Sequence, residues 1–69
     1  MELKAQITGT VWKIEAKEGE TLEEEDEILI FESMKMEVPL YAPRKGILQK
    51  ICVEEGVPVE EGQVVAILG

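Results

Sequence analysis

GTVWKIEAKEG (residues 9–19) and GILQKICVEEG (residues 46–56) are two versions of one pattern. Each opens on glycine, carries Lys-Ile at its fifth and sixth places and closes on Glu-Gly. Sliding the chain against itself by 37 places extends the match without a gap, laying residues 3–32 over residues 40–69. Ten of those thirty pairs are identical, Leu3/Leu40, Ala5/Ala42 and Ile30/Ile67 among them, where average amino-acid usage predicts about two by chance. The chain is an internal two-fold repeat.

Outward from the opening stretch, apolar runs at residues 3–7, 10–16 and 27–32 match runs at 40–42, 47–53 and 64–68. They are short, rich in Val, Ile and Leu and broken by Gly and Pro, with no helix signals, which predicts an all-β sandwich or small barrel. Gly19 and Gly56 close turns at residues 17–19 and 54–56, where a tight turn calls for positive φ and glycine adopts it at little cost. Glu25 stands where the second half has Gly62, so a matching turn there costs roughly 1 kcal/mol. Neither half can bury its apolar face alone. The halves are expected to pack on each other about a pseudo-two-fold axis.

With 69 residues the chain has room for one domain, residues 1–69. A chain of this size buries only about 60% of its unfolded surface, and hollowing a substrate cavity out of so small a core costs packing it can hardly spare. Seven basic against fifteen acidic residues leave a net charge of −8, which repels nucleic acid and anionic membrane alike. MELKAQITGT lacks an apolar leader, and no stretch is long enough to span a bilayer. One cysteine, Cys52, makes no internal disulfide, and the chain reads as a protein of the reducing cytoplasm. The absence of histidine removes the usual general base near neutral pH, and a lone cysteine builds no zinc cluster. Glu23, Glu24, Glu25, Asp26 and Glu27 read as a solvated turn rather than an acid–base site.

The residues left between the repeats run from Ser33 to Pro39 and contain Ser33-Met34-Lys35-Met36. Here the last strand of one unit meets the first strand of the next, so Lys35 is expected at an exposed hairpin tip. Met34 and Met36 suit either adaptable contact with a partner or core filling, and the pattern alone leaves both readings standing. Lys35 is flanked in sequence by the acidic Glu32 and Glu37 and by no cation. Nucleophilic lysines are desolvated or flanked by cations; here the surroundings are the reverse. Any acylation of Lys35 therefore falls to another enzyme.

Glu32-Ser33-Met34-Lys35-Met36-Glu37 resembles the attachment motif of biotinyl domains, the biotin carboxyl carriers. The likeness extends through Gly9-Thr10-Val11, Glu18-Gly19, Ala42-Pro43, Gly46 and Glu55-Gly56 to nearly the whole chain. It implies a flattened barrel of two four-stranded antiparallel sheets, with a biotinylated Lys35 on a tight turn at one end. It also implies a biotin protein ligase that joins biotin to Lys35 through biotinyl-adenylate. A biotin carboxylase would then load the carboxyl group and a carboxyltransferase unload it, the carrier itself catalysing nothing. Lipoyl domains share this fold and repeat, but usually have Asp before and Ala after the lysine; methionine on both sides favours biotin. Short bacterial attachment proteins of this length resemble the chain as well and imply lipoate as an alternative. Biotinyl-like adaptor modules of membrane-fusion proteins are similar in fold but generally lack a Met-Lys-Met tip.

Two departures and two further residues bear on this likeness. Some carriers have a protruding thumb in the first half, and the gapless repeat leaves no residues for one. No Ala/Pro-rich linker precedes the first strand, so the chain reads as a freestanding carrier or as the carboxyl-terminal domain of a carboxylase. Cys52 pairs with Glu15 in the repeat and is expected to be partly exposed, with no cationic neighbour to activate it. Trp12, paired with Gln49, suits a cover for the barrel's end or a contact patch, but core or half-buried packing is the expected use.

Overall fold

Short Val-, Ile- and Leu-rich runs closed by turn residues form strands because a pleated surface suits branched side chains and each turn ends the pairing. The computed structural model, which describes residues 1–69, contains eight: β1 (Glu2–Lys4), β2 (Gly9–Ile14), β3 (Thr21–Leu22), β4 (Glu27–Ser33), β5 (Met36–Tyr41), β6 (Gly46–Ile51), β7 (Pro58–Val59) and β8 (Val64–Leu68). They make two four-stranded antiparallel sheets ordered β1-β8-β6-β3 and β5-β4-β2-β7. The expected two-sheet architecture is the one observed.

A shift of 37 residues carries β2 onto β6 and β3 onto β7 end to end, and it turns one sheet order into the other. Each half divides its strands between the sheets, β1 and β3 in one, β2 and β4 in the other. No half holds a complete sheet. The sixteen buried residues obey the same rule and fall into eight pairs 37 apart: Leu3/Leu40, Ala5/Ala42, Val11/Leu48, Ala16/Val53, Leu22/Val59, Ile28/Val65, Leu29/Ala66 and Phe31/Leu68. Only the first two pairs are identical, so the repeat preserves apolarity at each position more than it preserves shape. Fully burying side chains of this size is worth roughly 1.5–3 kcal/mol each, and none of that is available to a half on its own.

Backbone pairing shows why Glu-Gly recurs. Gly19 (φ 89°) donates its N–H to Leu48 O at 2.7 Å, and Gly56 (φ 87°) donates to Val11 O at 2.7 Å. The preceding glutamates reach across to the other half: Glu18 Oε2 accepts the Ile51 N–H at 2.9 Å, and Glu55 Oε2 accepts the Ile14 N–H at 2.8 Å. Each carboxylate thereby satisfies the last amide of a strand it does not belong to.

The sequence reading differs from the structure in three places. β3 and β7 are strands of two residues each, too short to carry a visible alternation. The strands reach further into Ser33–Pro39, the stretch left between the repeats, than the runs at 27–32 and 40–42 indicate: β4 runs to Ser33 and β5 starts at Met36. Trp12 lies where the register between β2 and β4 shifts, a β-bulge between Val11 and Lys13, and is 47% exposed. The expectation of a core or half-buried tryptophan is not met: the side chain is exposed, because the bulge breaks the alternation that would carry it inward. Cys52 is exposed.

The molecule measures 31 × 17 × 17 Å. β5 runs away from the β4–β5 turn until the chain re-enters a sheet at Gly46, whose backbone lies against Gly69 O. At that far end β1 and β8 pair, with the Met1 amine donating to Leu68 O at 2.7 Å. The chain ends and the β4–β5 turn thus occupy opposite ends of the long axis.

Glu25 adopts the left-handed conformation (φ 72°) that its counterpart Gly62 (φ 90°) adopts without penalty. Their amides make matching bonds, to Ala42 O at 2.8 Å and Ala5 O at 2.9 Å. Glu25→Gly is therefore expected to stabilise the fold by about 0.5 kcal/mol, a rise of roughly 2–4 °C in Tm for a domain of this size. Gly62→Ala, whose added methyl group meets nothing within 4 Å, is expected to cost about 1 kcal/mol through conformation alone. Thermal unfolding followed by circular dichroism checks both; a lower Tm for Glu25→Gly contradicts the strain.

Candidate cofactor-attachment site

β4 and β5 pair through Ile30↔Pro39, Phe31↔Val38, Glu32↔Glu37 and Ser33↔Met36, leaving Met34 and Lys35 as a two-residue connection. Met34 has φ 50° and Lys35 φ 67°. Two successive positive φ values mark the type I′ hairpin turn, whose twist matches that of the flanking strands and whose usual occupants are Asn-Gly or Asp-Gly. Side chains with a Cβ sit there at a cost of about 1–2 kcal/mol per residue. Phe31, fully buried three residues before the turn, and the continuous register from Leu29↔Leu40 to Ser33↔Met36 hold the strained tip in place.

Lys35 is exposed at the apex. The chain's two salt bridges, Lys13–Glu15 at 3.8 Å and Lys45–Glu23 at 3.7 Å, lie elsewhere, so the Lys35 ammonium has no ionic partner. Met34 is 92% exposed and Met36 64%, which decides between the two readings of the methionines: neither fills the core. Glu32 and Glu37 face each other directly across the strands and are both exposed. Like charges in such a cross-strand pair repel. Ser33 is half-buried, against β2.

The six motif residues therefore sort into a turn, Met34 and Lys35, and the ends of two strands, Glu32 and Ser33 on one side, Met36 and Glu37 on the other. Gly9, which the sequence marked as a repeat position without giving it a role, supports the tip. A Cβ there would stand 2.5 Å from Glu32 O and 3.2 Å from Ser33 Cβ, so only glycine lets β2 approach the base of the tip. Its signal was present in the pairing with Gly46, which meets Gly69 O in the same way. The whole arrangement places one primary amine, exposed to solvent, at the apex of the turn.

Compared with known proteins, residues 2–68 match the biotin/lipoyl family described as Biotin-requiring enzyme. The chain belongs to the biotin/lipoyl attachment family. It is 42% identical over 64 residues to the biotin/lipoyl attachment protein of Bacillus subtilis, spanning 93% of this chain and 88% of that one. Urea carboxylase of Kluyveromyces lactis contains a region that superposes with a TM-score of 0.94 at 35% identity, over 100% of this chain and 6% of the carboxylase. The lipoyl domain of the 2-oxoglutarate dehydrogenase complex from Azotobacter vinelandii superposes with a TM-score of 0.84 at 26% identity, over 99% and 94% of the two chains. This attachment domain thus shares its two-sheet fold with both kinds of relative.

Because Gly9 carries the base of the tip, Gly9→Ala is expected to cost about 1–3 kcal/mol, the usual range for forced overpacking. Urea denaturation measures the loss. Backbone amide resonances of residues 32–36 in the attachment domain should shift with it, and unchanged resonances there would remove Gly9 from the support of the tip.

Proposed function

We propose that this chain is a biotin carboxyl carrier whose Lys35 is the attachment point. A single observation carries the reading: in a member of the attachment family, a solvent-exposed and unpaired lysine stands at the apex of a two-residue turn between Met34 and Met36. The amine fits biotin's carboxyl group as an acyl acceptor. Lys35 Nζ, deprotonated within a biotin protein ligase, attacks the activated acyl carbon; the C–N bond forms, the adenylate leaves and the extra proton is lost. Acylation removes one positive charge, taking the formal net charge from −8 to −9. When bound, biotin supplies a ureido nitrogen that accepts a carboxyl group from a biotin carboxylase and releases it to a carboxyltransferase.

The chain's own residues supply position. A rigid hairpin holds the lysine in a fixed frame for the ligase, and tethering raises the local concentration of the attached group at each active site the tip can reach. Relatives that carry this domain inside carboxylases, such as the urea carboxylase, support partners of that kind. The name of the Bacillus subtilis relative favours a second reading, attachment of lipoate to the same amine. Methionine on both sides of Lys35, and the closer structural match to the carboxylase than to the lipoyl domain, favour biotin.

Co-expression with a biotin protein ligase should add the mass of one biotinyl group to the wild-type chain and none to Lys35→Ala. The variant should unfold within about 0.5 kcal/mol of wild type, as exposed substitutions do. A modified Lys35→Ala, or a wild-type chain that gains mass only with lipoate and a lipoate ligase, would sink the biotin reading.

A further inference from the structure

Two apolar side chains on an acidic, otherwise polar tip need a reason, and folding does not provide it. Met34 and Met36 are outside the sixteen-residue core, and at 92% and 64% exposure they give up little surface to water when the chain unfolds. Every enzyme that reaches Lys35 Nζ must nevertheless surround it, and the two thioethers on either side are what it meets first. Burying them there releases water from apolar surface, and their flexible, polarizable side chains adapt to more than one partner. Exposure has a second consequence. A thioether open to solvent is open to oxidants, and its sulfoxide is polar and chiral.

We infer that Met34 and Met36 form a reversible oxidation site that controls access to Lys35. The inference rests on the reading of Lys35 as the attachment lysine. A sulfur lone pair attacks one oxygen of hydrogen peroxide, the O–O bond breaks, and the S–O bond forms as hydroxide leaves and takes up a proton to become water. Sulfur loses two electrons and the peroxide gains them. Reduction by methionine sulfoxide reductases, with a dithiol as electron donor, returns the thioether and releases water. The fold is indifferent to this change because neither side chain packs on the core. The docked complex is not, since a sulfoxide carried into an apolar contact must shed its hydration without a fitted donor.

The test uses the full chain with Cys52→Ser, which removes the exposed thiol as a competing target. Hydrogen peroxide treatment is followed by peptide mass mapping, with Met1, 56% exposed at the opposite end, as an internal standard. Biotinylation by a biotin protein ligase is then timed before and after treatment. The expected result is a fall in kcat/KM of about tenfold, equivalent to about 1.4 kcal/mol, with Tm within about 2 °C of the untreated chain. Sulfoxide reductase treatment restores the rate. A Met34→Leu/Met36→Leu chain, whatever its own rate, keeps that rate after peroxide. Equal rates before and after oxidation of Met34 and Met36 overturn the inference, as does an equal loss in the double-leucine chain. An untreated chain that accepts neither biotin nor lipoate from their ligases refutes instead the reading of Lys35 on which the inference stands.

Discussion

Exchange of strands between the two halves, with β1 and β3 placed beside β8 and β6 while β2 and β4 are placed beside β7 and β5, is the constraint on which the rest of the structure depends. It converts two weak amphipathic units into one core, because every buried residue of one half has its counterpart in the other. Crossed carboxylate-to-amide bonds from Glu18 and Glu55 lock the exchange at its edges. A chain this short has a thin margin of stability, and sharing the core leaves no room for a deep cavity. Chemistry is displaced to the surface.

The tip shows what that displacement requires. Met34 and Lys35 occupy left-handed backbone positions that neither residue prefers, and strain of this kind persists only where the surroundings over-determine it. Here the surroundings are the paired arms of β4 and β5, the buried Phe31 and the close approach of Gly9. Rigidity at the base and freedom at the side chain suit a group that must be presented repeatedly, in one orientation, to active sites built elsewhere.

Duplication made much of this legible in the amino-acid sequence. Gly19 and Gly56 announced their turns twice, Gly62 exposed the strain at Glu25, and the break between repeats isolated Lys35. Features without a partner or a period were silent. Two residues at β3 or β7 carry no alternation, and the outer arms of the hairpin have no counterpart beyond β1, so they fall between the repeats with no strand assigned. The bulge at Trp12 interrupts the in–out pattern that locates side chains in a strand, which is why its exposure needed coordinates. Nothing about methionine or lysine as residue types foretells positive φ at the tip.

The pairing of Met1 with Leu68 at the end remote from Lys35 has a consequence for how the molecule is put together. It occupies the place that the β4–β5 turn occupies at the other end. The chain is thus geometrically a homodimer of half-length subunits, covalently spliced at one of two equivalent seams. The joined seam is the bend that carries Lys35 at its crest; at the other, Met1 meets Leu68. A symmetric assembly thereby acquires a direction, with the lysine turn at one pole and no copy of it at the other.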